Sequence, residues 1–527
     1  MSVLAAPGSP AASPPVFSPE GIAACARRIR EPVHVVSGPD GRDLGLATGP
    51  APGGPVLGTL PPLYPEWLGG RTFCEAHSVR FPYVAGEMAN GIATTGMVSA
   101  MARADMLGFF GAGGLAYPDV ERAVHTLAHE LGTRQNWGVN LIHSPAEPAL
   151  ESRVAELLLR CGVPRISASA FMELTPAVVL CSARGLRRGA DGDIVRRTRM
   201  LAKVSRPEVA ERFLSPAPAA LLNPLVAQGK LTREEAELAA LVPVAEDITV
   251  EADSGGHTDN RPLSALLPRI ALLRDAVCRR FGYRRPVRIG AAGGLGTPDA
   301  VAAAFALGAS YVVVGSVNQT ANEAGLSDEA KSMLCDADIT DVAMAPAADM
   351  FELGVKLQVL SRGTMFAVRA GRLHAAYRAH GSLEELPSAL RASIERDVLR
   401  APFDEIWQQT RAFWEQRDPT EITRAEADPK HRMALVFRWY LGSSSLWAIT
   451  GDGARRADYQ IWCGPAMGAF NRWVAGTLLA EPGNRSVVQI ALNLLEGAAV
   501  LTRAHQLRTY GVPLTPDAFT YTPRELA

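Results

Sequence analysis

From about residue 80 onward, short apolar runs alternate with longer stretches whose apolar residues recur at helical spacing, the pattern of parallel strands joined by crossover helices. Eight runs stand out: Pro82–Gly86, Met106–Phe110, Trp137–Ile142, Arg165–Ser169, Met200–Val204, Ile248–Ala252, Val287–Gly290 and Tyr311–Gly315. Glycine, serine, asparagine and histidine gather at their C-terminal ends. This predicts an α/β fold, a (β/α)8 TIM barrel over 81–320 whose site lies at the C-terminal face of the strands. The connection over about 205–247 is longer than a crossover needs and holds a helix start at Thr232-Arg233-Glu234-Glu235, so an inserted helix or lid is expected there.

The flanks read differently. Residues 1–20 are rich in Pro, Ala, Ser and Gly and are expected to be disordered. Within 21–80, Val33–Val36, a turn at Pro39-Asp40-Gly41 and Leu44–Leu46 predict a hairpin in a small β-containing unit. Residues 321–515 are helical in pattern, with a capping box at Ser382…Glu385, and are expected to form a helical C-terminal substrate or lid region. Its later part concentrates Trp439, Tyr440, Trp447, Tyr459, Trp462, Phe470 and Trp473. A compact helical core is the preferred reading, and a platform over the barrel mouth or a partner interface is the alternative.

Composition narrows the function classes. With 53 basic and 54 acidic residues and a net charge of −1, nothing draws the chain electrostatically to nucleic acid or an anionic membrane. No uninterrupted apolar run reaches the length of a membrane span. The first residues lack the basic and apolar regions of a secretory signal, which predicts a cytoplasmic protein. Seven cysteines without C-x-x-C spacing or a paired histidine motif support neither a metal site nor a disulfide framework. Cys463, in the aromatic stretch Tyr459–Pro465, reads as a packing residue.

Candidate chemistry lies in two stretches. Glu251-Ala252-Asp253-Ser254-Gly255-Gly256-His257-Thr258-Asp259 follows an apolar run, so a strand end opens into a loop that presents a histidine. Gly255 and Gly256 would let the backbone approach a flat ligand, and the imidazole of His257 could act as general acid, general base or hydrogen-bond donor. Further on, Gly293 and Gly294 lie between a strand and a helix, and Gly315-Ser316 ends the next strand. Backbone N–H groups at two such loops form an anion site, where (β/α)8 barrels commonly hold phosphate. A third segment, Gly111-Ala112-Gly113-Gly114-Leu115-Ala116, matches a dinucleotide fingerprint, but the next strand ends in Asn140 and His143 where that fold needs an acidic residue.

Phe81–Ile92, Gly138–Leu141, Glu251–Asn260 and the glycine loops at 293 and 315 together resemble the FMN-binding barrel of nitronate monooxygenases. Glu251–Pro262, Met344–Lys356 and Tyr459–Trp473 more closely resemble the trans-acting enoyl reductases of polyunsaturated fatty acid and trans-acyltransferase polyketide synthases, over about residues 55–515. That resemblance implies FMN across the barrel mouth, with its phosphate on Gly293, Gly294, Gly315 and Ser316. Gly86, Glu87 and Met88 would border the ring system, Asn140 and Lys203 would meet its polar edge, and Gly255 and Gly256 would flank it. It also implies hydride from NADPH (or NADH), a 2-enoyl thioester on an acyl carrier protein as substrate, and His257 supplying the α-carbon proton or polarising the thioester carbonyl. Asp253-Ser254 before the double glycine and Thr258–Arg261 after it depart from the monooxygenase pattern. Two alternatives stand beside this reading: a monooxygenase-like flavoenzyme for a free small molecule, and a non-catalytic docking subunit of a synthase. A homodimer is compatible with the sequence, which sets no oligomeric state.

Overall fold

A computed structural model describes residues 13–527 apart from 53, 54 and 146. Eight parallel strands close into a barrel in sequence order: β1 (Tyr83–Ala85), β2 (Leu107–Phe110), β3 (Trp137–Ile142), β4 (Arg165–Ser169), β5 (Arg199–Val204), β6 (Asp247–Glu251), β7 (Arg288–Ala292) and β8 (Tyr311–Val314), with β8 pairing back onto β1. These are the eight apolar runs. Helices cover their outer faces and side chains fill the interior, so the strands are apolar on both sides instead of alternating.

The helix Arg71–His77 plugs the lower end. There His77 Nε2 meets Asp247 at 2.9 Å, Arg288 grips the same carboxylate with bonds of 2.6 and 2.7 Å, and Arg165 donates to His77 Nδ1 at 2.9 Å. Because Nδ1 accepts, His77 is the neutral tautomer protonated at Nε2.

After β8 the chain leaves the barrel through a 3-10 turn, Ser316–Thr320, and returns only with the helix Val487–Thr509. This helix packs between Thr95–Arg103 and Pro298–Ala306, the position of the eighth barrel helix. Contact with Pro298 is so close that a Cβ on Gly497 would lie 2.5 Å from its Cγ. A domain boundary at 320 therefore parts β8 from its own helix. Val487–Thr509 is long and apolar enough to cross a membrane by length and composition, but most of its most apolar window is buried in the protein, and packing accounts for its apolarity.

The intervening extension holds an antiparallel hairpin, β9 (Val342–Pro346) and β10 (Lys356–Leu360), then the helices Phe366–Ala379, Phe403–Arg417, Thr420–Ala427 and Pro429–Thr450. All but Thr420–Ala427 share a second core around Phe351, Phe366, Leu373, Ile406, Phe437 and Tyr440, and Ile422 and Ala425 of that helix pack instead with Trp414 and Leu435. The hairpin corrects the expectation of a purely helical extension; its two five-residue strands lie inside a charged stretch that masks their period. At Ser382…Glu385 the hydroxyl accepts the Glu385 N–H at 3.3 Å, but Glu385 caps Gly381 and the next helix starts only at Ser388, beyond Pro387.

The 205–247 connection folds as the helices Pro207–Leu214, Ala219–Ala227 and Arg233–Ala239, the last with a reciprocal capping box between Thr232 and Glu235. The latter two pack on Pro176–Ala183 at the barrel's flank, while Ser205, Arg206 and Val209, at the start of the insertion, line the cavity at the strand ends. The predicted hairpin is present and gains a third strand, Val56–Leu60. Residues 1–12 of the expected tail lie outside the described residues. Val16, within that tail, exchanges backbone bonds of 2.8 and 2.9 Å with Leu46, so the chain is docked from there on. Arg30 ties this unit to Glu496 of the Val487–Thr509 helix through bonds of 2.5 and 2.7 Å.

Candidate active site

A cavity of about 1150 Å³ opens at the C-terminal ends of the strands. All twelve residues singled out from the sequence line it: Gly86, Glu87, Met88, Asn140, Lys203, Gly255, Gly256, His257, Gly293, Gly294, Gly315 and Ser316.

Beyond the end of β6, Gly256-His257 pairs antiparallel with β10, opposite Gln358 and Leu357. The extension thus grips the histidine loop. Gln358 donates to Asp253 Oδ1 at 2.8 Å and to the Ser254 carbonyl at 2.9 Å, while Asn260 donates to Asp253 at 2.9 Å and to Gln358 Oε1 at 3.2 Å. His257 Nε2 lies 3.2 Å from Asp349 Oδ1, with side chains 34% and 50% exposed. Burial pushes the imidazole pKa down, but the hydrogen bond and charge of Asp349 outweigh it and raise it above the ordinary value, so the site favours the imidazolium. Asp349 and Gln358 were missed as partners because about a hundred residues separate them from the loop they hold.

The two loop glycines differ. A Cβ on Gly255 would lie 2.8 Å from Ser316 Oγ and 2.9 Å from Cys463 N, so close packing of the protein on itself requires glycine there. Gly256, at φ +82°, has open space where its Cβ would stand, as do Gly294 and Gly315. Ser316 Oγ accepts the Gly464 N–H at 3.3 Å and keeps its own proton to donate. Gln319, on the same wall, has a buried Oε1 without a hydrogen-bond partner among the described residues.

At the cavity floor Lys203 bridges two strand-end carboxylates, at 3.2 Å from Glu87 and 3.4 Å from Glu251. Burial opposes its charge, but Glu251 and Glu87 outweigh burial and hold the ammonium protonated. Both amide protons of Asn140 are committed, to the Ser167 carbonyl at 3.0 Å and Ser169 Oγ at 2.8 Å, which leaves its oxygen to accept from a ligand.

The extension supplies much of the remaining wall, including Trp414, Leu435, Trp439 and Trp462. Met172, Leu353, Phe413 and Leu446 form an exposed apolar rim. The aromatic tail therefore does both jobs: Tyr440, Tyr459 and Phe470 are fully buried in core, as preferred, while Trp439 and Trp462 face the cavity. Cys463 is a buried free thiol whose pKa burial pushes up to about 12, consistent with packing.

Comparison with known proteins adds three relatives. The chain is 44% identical over 445 residues to the polyketide biosynthesis protein PksE of Bacillus subtilis, covering 84% of this chain and 58% of that protein. It is 46% identical over 466 residues to a polyunsaturated fatty acid synthase polypeptide of Thraustochytrium, covering 86% of this chain but 31% of that polypeptide. Among solved structures, the enoyl reductase domain of MlnA, from the macrolactin cluster of Bacillus amyloliquefaciens, superposes with a TM-score of 0.80 at 36% identity, covering 84% of this chain and 99% of that domain. Residues 380–459 match the family model for the inserted helical domain of [acyl-carrier-protein] S-malonyltransferase. The curated relatives are thus longer proteins, of which this chain spans only a part.

Proposed function

The chain belongs to the trans-acting enoyl reductases of polyketide and polyunsaturated fatty acid synthases, and from that premise we propose that it reduces the 2-enoyl thioester carried on an acyl carrier protein, using NADPH and FMN. The observation that carries this is His257, clamped between barrel and extension in a cavity that also holds both glycine loops. The residues suit FMN. Gly294, Gly315 and the Ser316 hydroxyl offer a phosphate an open cradle, Gly256 leaves room beside it, and Asn140 presents an acceptor to a ring N–H.

Bound there, FMN would carry hydride from NADPH to the β-carbon of the enoyl group. Saturation also requires a proton at the α-carbon. His257, favoured as imidazolium by Asp349 and partly open to water, is placed to give that proton and be recharged from solvent. Lys203 and its two carboxylates would set the charge at the ring's polar edge; an unchanged flavin potential in Lys203→Ala would count against that role. The apolar wall and rim suit an acyl chain and exceed what a small nitronate needs.

The test is anaerobic stopped-flow absorbance: reduction of the protein-bound flavin by NADPH, then addition of a crotonyl thioester on a carrier protein or on pantetheine. Fast reoxidation with saturated product is expected. Reoxidation by oxygen but not by the thioester, with the oxidised flavin instead accepting electrons from a nitronate, would establish the monooxygenase-like reading, and protein purified without flavin would leave the docking role.

A further inference from the structure

A second histidine lines the same cavity, beyond the end of β3, three strands round the barrel from the β6 end that carries His257. His143 follows β3 and continues its ladder by donating its N–H to the Ser169 carbonyl at 3.0 Å. Its Nδ1 lies 2.9 Å from Oε2 of Glu151, a buried carboxylate that also takes the Ser144 N–H at 3.0 Å and the Thr175 hydroxyl at 2.6 Å. Burial alone would raise the Glu151 pKa, but the bonds from His143, Thr175 and Ser144 outweigh it and lower it, so Glu151 is a carboxylate and Nδ1 carries the proton. The ring stacks on Phe171 at 5.1 Å between centroids and 27° between planes. The ring's only hydrogen bond to the described residues is through Nδ1, and the residue lines the cavity.

Hydride arrival at the β-carbon drives the C=C electron pair toward the thioester carbonyl, and the α-carbon then takes a proton. Two different groups serve these events best. A proton donor must be recharged from water at each turnover, which suits the partly exposed His257. A group that stabilises charge on the carbonyl oxygen must instead be rigid and already aimed, which suits a ring fixed by Glu151 on one side and Phe171 on the other. On the enoyl reductase reading above, we infer that His143 is a second catalytic group, which, with both ring nitrogens protonated as the cation of its pair with Glu151, donates a hydrogen bond from Nε2 to the thioester carbonyl oxygen.

Two substitutions separate this role from a structural one, because each keeps one ring nitrogen's position. In His143→Asn the amide nitrogen replaces Nδ1 and keeps Glu151 satisfied; in His143→Gln it replaces Nε2 and keeps a donor in the cavity. The expected result is that flavin reduction by NADPH is unchanged in both, while reoxidation by crotonyl pantetheine slows about 10²–10³-fold in His143→Asn, the usual cost of removing one such donor. His143→Gln should lose about tenfold or less, since a neutral donor replaces a charge-assisted one. The reverse order, with Asn active and Gln impaired, would assign His143 to loop architecture and overturn the inference.

A second readout does not depend on turnover. In oxidised holoenzyme, the carbonyl stretch of ¹³C-labelled crotonyl pantetheine should shift to lower frequency in wild type and His143→Gln but not in His143→Asn. If wild type fails to reduce the thioester yet shows this pattern, the function reading fails and the carbonyl site stands. Without the pattern, the inference about His143 fails.

Discussion

At the lower end of the barrel His77 meets Asp247 at 2.9 Å, and at the upper end His257 meets Asp349 at 3.2 Å. The same two residue types make both pairs, and their surroundings give them opposite properties. His77 and Asp247 have no exposed side-chain surface, and Arg165 and Arg288 complete their bonding. Burial pushes the His77 pKa down, whereas Arg288 and His77 overcome burial to hold Asp247 well below the usual carboxylate range. A neutral imidazole with both nitrogens bonded has no proton to trade. His257 is one-third exposed, is held toward the cation, and bonds the described protein through only one ring nitrogen. A histidine–carboxylate pair becomes a candidate catalyst through its access to water and ligand, not through its composition, which accords with the general division of such barrels into a stabilising lower face and a reactive upper one.

The sharpest way to break the comparison is to remove one member from each end. His257→Ala should slow enoyl reduction by roughly 10²–10⁴, the range for a positioned acid or base, while flavin content and melting temperature stay as in wild type. A mutant with wild-type reoxidation kinetics would take His257 out of the mechanism. Asp247→Ala should do the opposite. It leaves Arg288 buried without its partner, at a cost of about 3–5 kcal/mol, and should lower the melting temperature while each folded molecule keeps its activity. Because the folded pKa of Asp247 is depressed, its contribution is present above the unfolded carboxylate pKa and lost as pH falls through the folded value. The acid limb of wild-type stability should therefore be steeper than that of Asp247→Ala, measured by melting across about pH 3–7; parallel limbs would contradict the assignment.

Asp349→Asn makes the corresponding change at the upper end, with a smaller effect on stability. A partly exposed pair of this kind contributes roughly 0.2–1 kcal/mol, so the melting temperature should barely move. The rate should respond through pH. Asp349 raises the His257 pKa, so the proton-donating form persists below that raised value and is lost above it. Without Asp349 the basic limb of the enoyl-reduction profile should shift to lower pH. An unmoved limb would mean that His257 is not the group that titrates.

Much of the upper end was legible in the sequence, and for a physical reason. Strands buried on both faces are continuous apolar runs, and the residues that end them face the site, so Asn140, Lys203, Glu251 and the 293 and 315 loops could be placed in order along the chain. What joins the barrel to the extension left no such trace. Asp349 and Gln358 lie in short strands and turns, and their significance is a pairing with residues 256–260 that no local period reports. His143 was visible only as a mismatch to a dinucleotide fingerprint, because its partner Glu151 lies on the following helix and looks like an ordinary polar face until the helix is folded back. The eighth barrel helix was misread as part of the extension, since 166 residues separate Thr320 from Val487.

The finest contrast lies within the upper end, between two glycines that the sequence treats alike. Gly255→Ala must displace Ser316 and the Cys463 backbone, an overpacking cost of about 1–3 kcal/mol, and should appear as lost stability even in protein stripped of flavin. Gly315 has φ −121° and nothing within 4 Å of a built Cβ, so neither backbone nor neighbours require glycine there. Gly315→Ala should melt like wild type without flavin, within about 0.5 kcal/mol. If the open space at Gly315 is where the phosphate sits, the added methyl should weaken FMN binding by about tenfold, or 1.4 kcal/mol, in fluorescence titration of stripped protein, and riboflavin, which lacks the phosphate, should bind both proteins equally. Equal loss for the two ligands would place the methyl against the ring instead of the phosphate, and no loss for either would move the cofactor away from β8.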